Sequence, residues 1–354
     1  MPLSGPDAAV GVRALRGILL AAKVFDQTAP FYRGVAVTVR DTGGTPEGAA
    51  KAVTELVTDE RAIVILGPVT SRESPGAAAE AQRLRVPIIT LTQREDVVSQ
   101  GDFVFRSLLT PRDEARAVAI YGTRRLLITR FAILSPGDRF GRDVAQAFAD
   151  EVVALGGRVT RRASYGRPPA IPGVLASLYD RPVGEPAVAP WDALFVPDDI
   201  FAARLAAERL RGAGVTNFKL LGTGLWNTPD ATLGGGLEGA VFAAPFSESD
   251  SRSPSRAFSV AYRRTFEEAP DPLAAQAHDA AALVIEMLEN AGQAGPEHLR
   301  ERLMVTSGIE GAAGTLRFEG GRDARRGAVL LTIRGSNIVP VSPMGNAAHP
   351  AERR

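Results

Sequence analysis

The side chains able to do covalent or acid–base chemistry are few. The chain has three histidines and no cysteine, which excludes disulfides, thiolate catalysis and cysteine-based zinc sites. His278 has Asp279 beside it in a helical stretch, but adjacent helical residues do not face each other, so the two do not read as a dyad. His298 lies in a charged helical stretch and His349 near the end of the sequence, and both read as solvated. No HExxH, Walker A or GxSxG pattern occurs. Residues 234–239, Gly-Gly-Gly-Leu-Glu-Gly, match GxGxxG by letter but precede a strand instead of opening a helix, so the dinucleotide reading fails. With no nucleophile–base pairing legible, the sequence reads as a non-enzyme with no cofactor or metal.

What remains is chemistry of recognition. Thr70 and Ser71 follow one apolar run, and Thr90 and Thr92 stand at the end of the next. Hydroxyls there can grip the negative end of a small molecule, or they can merely cap helices. The first pair also precedes a helix, whose free N–H groups and dipole favour an anion. Asp198 and Asp199 follow a later strand; they suit a ligand amine or a cation, or else an N-cap. Phe140 and Trp226 also stand just past strand ends, where an aromatic either stacks on a ligand or packs against its own helix.

These residues need strand ends to carry them, and the periodicity supplies candidates. Residues 61–96 read as strand, turn, helix, strand, turn. Residues 62–66 form a short β-branched run stopped by Gly67-Pro68, a helix runs to about Leu84, and residues 86–91 form a second strand. Two strands joined by a helix make a parallel βαβ unit, and open parallel sheets bind ligands beyond the carboxyl ends of their strands. Further strands are expected at 35–39, 103–106, 131–134, 158–165, 193–196, 219–221 and 240–243. Thr110-Pro111 with Asp113 and Glu114 marks a helix start. Beyond Pro245 the alternation stops: two helices lined by Phe258, Tyr262 and Phe266 and by Leu273 to Ala291 follow, then a short third. Residues 315–318 and 328–333 look like antiparallel strands around a polar loop.

Composition is that of an ordinary globular chain: 354 residues, 45% hydrophobic, 23% charged. That length suits two domains. A net charge of +1 gives no argument for nucleic acid. No apolar run approaches the ~18 residues of a membrane span, and no signal peptide is visible.

The order of segments resembles the type I periplasmic binding proteins, the group that includes leucine/isoleucine/valine-binding proteins of ABC transporters. The carrying segments are PLSGPDAAVGVRALRGILLA, GPVTSRESPGAAAEAQRLRVPIITLTQ, PGDRFGRDVAQAFADEVVALGG, LLGTGLWNTPD and AYRRTFEEAPDPLAAQAHDAAALV. VPIITLTQRED and GLWNTPD look more like the branch of penicillin-binding protein activators. The resemblance implies an α/β fold of two Rossmann-like lobes with parallel central sheets, joined by three crossovers. The N-terminal lobe would take residues 1–109 and 246–314, and the C-terminal lobe 110–245 and 315–341. Residues 342–354 read as a disordered tail. Ligand is expected in the inter-lobe cleft. The family's hydroxyl-and-backbone grip on a carboxylate maps to Ser71 and Thr92, with Leu91 offering backbone; the aromatic after the second lobe's first strand maps to Phe140.

The implied function is extracytoplasmic capture of a small polar, carboxylate-bearing solute for an ABC permease, in a periplasmic or lipoprotein-anchored protein. The alternative is a regulator of a cell-wall synthase. Two departures stand out. The family's usual carboxylate near Gly224, which holds a ligand amine, is replaced by Thr223-Gly224-Leu225. The apolar strand that normally precedes the PLSGP loop, between the strands at 35–39 and 62–66, is also missing, so those two neighbours are expected to have unpaired backbone groups and the isolated chain to be destabilised.

Overall fold

The computed structural model describes residues 1–25, 35–181, 187–233, 235–290 and 295–341. The expected tail at 342–354 and residues 182–186 of the proline-rich loop at 181–190 lie outside them. The chain divides into two compact units, Met1–Thr110 with Pro245–Val329, and Pro111–Ala244 with the residues from Leu330 onward.

The first unit opens with α1 (Ala8–Ala21) and α2 (Pro46–Thr58), then β1 (Ile65–Leu66), α3 (Ser74–Leu84), β2 (Ile88–Thr90) and β3 (Val104–Arg106). The three strands form one parallel sheet in the order β1-β2-β3, with Ile65 opposite Ile88 and Ile89 opposite Phe105. Because side chains alternate along a strand, each strand feeds two cores. Ile88 and Val104 pack with Ala49 and Val53 of α2 and Ala77 and Ala81 of α3, while Ile89 and Phe105 point the other way, toward Ala14 and Ile18 of α1.

The second unit restarts the alternation with α4 (Pro111–Ile120), β4 (Arg130–Pro136), α5 (Arg139–Ala154), β5 (Arg158–Tyr165), α6 (Ile171–Leu175), β6 (Ala193–Phe195), α7 (Ile200–Gly212), β7 (Lys219–Gly222) and β8 (Val241–Ala244). Phe148 of α5 stacks on Phe195 at 4.1 Å and meets Phe131 edge-on, which ties that helix to β4 and β6.

The chain then returns to the first unit with α8 (Ser253–Phe266), α9 (Pro272–Glu289), α10 (Pro296–Met304), β9 (Ile309–Gly311), β10 (Gly314–Arg317) and β11 (Arg325–Arg326). α9 brings Ala277, Ala281 and Val284 to the core that holds Ile89 and Phe105. Its contact with α1 depends on Gly17, where a Cβ would lie 2.1 Å from the Ala274 carbonyl oxygen. Asp279 of α9 is buried and binds the Ala312 and Ala313 N–H groups and Arg326, which is itself fully buried. Burial works against its charge, but His278, Arg326 and these backbone donors hold its pKa below the usual carboxylate range. Last come β12 (Val329–Arg334) and β13 (Asn337–Pro340), which extend the second unit's sheet to the order β13-β12-β8-β7-β6-β4-β5.

Two sequence expectations are corrected here. Residues 315–318 and 328–333 do not pair with each other: β10 pairs with β9 and β11 inside the first unit, and β12 pairs with β13. The polar loop is too short of apolar residues to keep a long hairpin in register, and Arg325–Arg326 closes it early. Residues 35–39 are described but form no strand.

Candidate functional site

In the first unit, β1 delivers the chain into the turn at residues 70–73, just before α3. Thr70 Oγ1 accepts from the Glu73 N–H at 3.3 Å. Glu73 is fully buried; its carboxylate accepts from the Val69 and Thr70 N–H groups at 3.3 and 3.2 Å and from the Thr42 hydroxyl at 2.5 Å. The Thr70 hydroxyl is therefore spent on the turn, which is the capping role.

Ser71 differs. It is an exposed residue, and its Oγ lies 3.4 Å from Thr92 Oγ1, just past the carboxyl end of the adjacent strand β2. Thr92 is fully buried; its Oγ1 accepts from the Arg94 N–H at 3.2 Å, and one of the pair's two protons serves the contact between them, so the opening to solvent is at Ser71. Two residues 21 apart in sequence thus converge as a hydroxyl pair, three residues before the N-terminus of α3. Beside them Arg72 binds the Gly44 carbonyl through Nε at 2.8 Å. The guanidinium is also 4.0 Å from Asp7 Oδ2, and the buried Glu73 carboxyl stands at the N-cap of α3, so what the pair itself offers an oxygen anion is hydroxyl protons.

Leu91 does not complete the grip as expected. Its N–H donates to the Pro68 carbonyl at 2.9 Å, so only its carbonyl remains, and a carbonyl cannot bind a carboxylate.

The second unit gathers Phe140, Tyr165, Asp198 and Gly224 around the carboxyl ends of β4 to β7. Phe140 sits in the first turn of α5, 38% exposed, the state a stacking surface requires. Asp198 is committed to its neighbours: Oδ2 accepts from the Tyr165 hydroxyl at 2.5 Å and Oδ1 from the Asp199 N–H at 2.7 Å. Burial and this carboxylate together raise the Tyr165 pKa far above the ordinary phenol range. Asp199 takes the duller of its two readings, capping α7 through the Ala202 N–H at 2.8 Å. Trp226 is fully buried. Its indole N–H donates to the Asp198 carbonyl at 2.8 Å, and the space beside Gly222 that a Cβ would need is filled by its ring. The stacking wall expected at Trp226 is thus a support for the β6 strand end, because the ring's whole surface is consumed in holding that loop.

Sequence reasoning missed Glu114, which reads there only as a first-turn carboxylate of α4. It is buried, and its Oε2 accepts from the Gly224 N–H at 2.8 Å. Burial pushes its pKa up to about 8, more than the Gly224 bond pulls it down, with Asp113 adding to the rise. A carboxyl group therefore does stand at Gly224, supplied from 110 residues away and in neutral form near pH 7. No local pattern could have revealed it.

A family model described as periplasmic binding protein matches residues 1–335. No curated protein matches the chain. Among solved structures, the chain is similar to a protein described under a branched-chain amino acid ABC transporter from Rhodospirillum rubrum, at 21% identity and a TM-score of 0.83, covering 96% of this chain and 97% of that one. It is similar to a solute-binding protein of an ABC transporter from Rhodopseudomonas palustris in complex with 3,4-dihydroxybenzoic acid, at 18% identity and a TM-score of 0.68, covering 96% and 94%. A third is a branched-chain amino acid transporter substrate-binding protein from Streptococcus pneumoniae in complex with isoleucine, at 20% identity and a TM-score of 0.65, covering 96% and 97%. At these identities the likeness shows the fold, that of type I periplasmic binding proteins. Among the described residues, no helix is long and apolar enough to cross a membrane.

Proposed function

Since the chain belongs to the periplasmic binding protein family, we propose that it is an extracytoplasmic solute-binding protein that captures a small carboxylate-bearing molecule for an ABC permease. One observation carries the ligand class: Ser71 and Thr92, brought to 3.4 Å at neighbouring strand ends, three residues before α3. Isoleucine and 3,4-dihydroxybenzoic acid, the ligands of two of the similar structures, share a carboxylate and little else, which supports the same end of the molecule as the anchor.

Taken by itself, the second unit leaves lone pairs for a ligand amine on Asp198, each of whose oxygens accepts one hydrogen bond, and on Asp199, which caps its helix through one oxygen, and it leaves Phe140 exposed. The protein performs no catalysis in this reading. The regulator alternative draws on no feature of the site, and the similar structures named above are transporter proteins.

Titration calorimetry with leucine, isoleucine, benzoate and 3,4-dihydroxybenzoate tests the proposal. A hydrogen bond to a charged group is worth about 1.5–3 kcal/mol, so Ser71→Ala and Thr92→Ala are each expected to weaken the best ligand by at least about ten-fold. Undiminished affinity in both variants overturns the anchor.

A further inference from the structure

At the amino end of the second unit's sheet, basic and apolar side chains are exposed together. α4 leads into β4 and α5 leads into β5. The two strands are parallel, with Arg130 opposite Arg158, so the turns that enter them, residues 121–129 and 155–157, lie side by side. The ring of Phe131 sits between those turns: a Cβ on Gly122 would come within 3.1 Å of it, and one on Gly157 within 3.4 Å.

The stretches 120–130 and 152–158 carry four arginines and no acidic residue. Arg130 has a partner in Asp192, with Nε donating to Oδ2 at 3.0 Å. Arg124, Arg125 and Arg158 are exposed and make no ion pair among the described residues. In the same two stretches Leu127 is 79% exposed, more than any other large apolar residue described, and Ile120 and Val153 are exposed as well.

Arginines near helix carboxyl ends are ordinary, because the dipole favours them there. Leu127 has no such explanation. Its φ is +57°, in the left-handed region that glycine enters without penalty. The turn is well defined: Tyr121–Arg125 form one turn of π-helix, a rare element, and the Leu126 and Ile128 N–H groups donate to the Tyr121 and Gly122 carbonyls at 3.1 and 3.0 Å. The leucine thus stands at the apex of a closed turn, with neither a relaxed backbone nor a buried side chain in return.

A side chain that projects in this way needs an apolar medium and no preformed pocket. The guanidiniums around it need anionic oxygens, and phosphate suits their fork geometry. A bilayer with anionic headgroups supplies both within a few ångströms of its surface. We propose that this edge of the second unit is a docking surface for an anionic lipid bilayer: Arg124, Arg125 and Arg158 take headgroup phosphates, and Leu127 enters the acyl boundary among them. The seven residues of β4 separate this edge from Phe140 by roughly 20 Å, so docking leaves the carboxyl ends of the sheet uncovered. The identity of the solute plays no part in the inference.

The test is sedimentation of the protein with vesicles of phosphatidylcholine, with and without about a third of phosphatidylglycerol, in low salt. Partition onto the anionic vesicles is expected to exceed that onto the neutral ones by at least about twenty-fold, and to collapse in high salt. Arg124→Gln combined with Arg125→Gln should weaken it roughly twenty-five-fold, five-fold for each charge. Leu127→Gly should weaken it at least about five-fold while holding or raising the Tm, because glycine relaxes the left-handed turn; the loss is then not one of folding. Leu127→Trp should add an emission band that moves to the blue on anionic vesicles, against the unchanged signal of the buried Trp191 and Trp226. Equal partition onto the two kinds of vesicle, or Leu127→Gly partitioning as strongly as the wild-type chain, overturns the proposal. So does soluble polyglutamate binding the wild-type chain and Leu127→Gly alike and as tightly as the anionic vesicles bind, which would make the occupant an acidic protein.

Discussion

Replacing Glu114 with Gln should remove a pH dependence of stability that this residue imposes on the second unit. Its carboxyl is buried beside Gly224 with a pKa of about 8, against 4.5 in its ordinary state. The folded chain holds that proton where the unfolded chain has lost it. The contribution is therefore complete below about pH 4.5 and drains away as the pH rises through 8. At 1.36 kcal/mol per pKa unit, the whole span is worth roughly 5 kcal/mol, and the portion lost between pH 6 and pH 9 is roughly 2–3 kcal/mol. Gln keeps an oxygen to accept from Gly224 N–H and never ionises. Both tryptophans, Trp191 and Trp226, lie in this unit, so urea unfolding followed by their fluorescence reports the right region. The wild-type chain should lose that amount over the interval, and Glu114→Gln should lose about 1 kcal/mol or less. An equal loss in both proteins would refute the assignment, since some other group would then be releasing the proton.

Two further outcomes follow from the first unit, where circular dichroism must replace fluorescence as the probe. Asp279→Ala should cost about 3–5 kcal/mol, because it strands the buried Arg326 without its counter-charge. Pairing Asp279→Leu with Arg326→Met should cost less than either single change, and a larger cost for the pair would refute the charge argument. Gly17→Ala should destabilise by about 1–3 kcal/mol despite the ~1 kcal/mol gain in helix propensity, because the methyl meets the Ala274 carbonyl at 2.1 Å. A stabilised variant would mean that α1 and α9 can part at little cost.

The strand before Gly67-Pro68 was legible because a β-branched run ended in a turn residue, the pattern a buried parallel sheet demands. Periodicity failed at residues 35–39. They carry a strand's composition but have no ladder partner among the described residues, and strand formation depends on the neighbour as much as on the residue. It failed again at residues 315–333, where Arg325–Arg326, unpromising by composition, supplies the hairpin partner of Leu316. At the candidate site, Ser71 and Thr92 were readable because both sit one turn past apolar runs. Leu91 misled because no sequence pattern states which way an N–H points. Glu114 was invisible for a different reason: its meaning comes from Gly224, 110 residues distant, and only the folded sheet joins them.

The order in which this chain is made bears on the helix pair α1 and α9. The apolar face of α1 is made well before its partner α9, which begins only at Pro272, about 250 residues after α1 ends. At 5–20 residues per second, Ala14 and Ile18 wait roughly 12–50 s for α9, with only the sheet side of their core, Ile89 and Phe105, in place, while Pro111–Ala244 of the second unit is synthesised in between. A nascent chain so built offers chaperones a long-lived sticky surface on α1, and a translation pause before Pro272 would lengthen that exposure more than a pause anywhere after it.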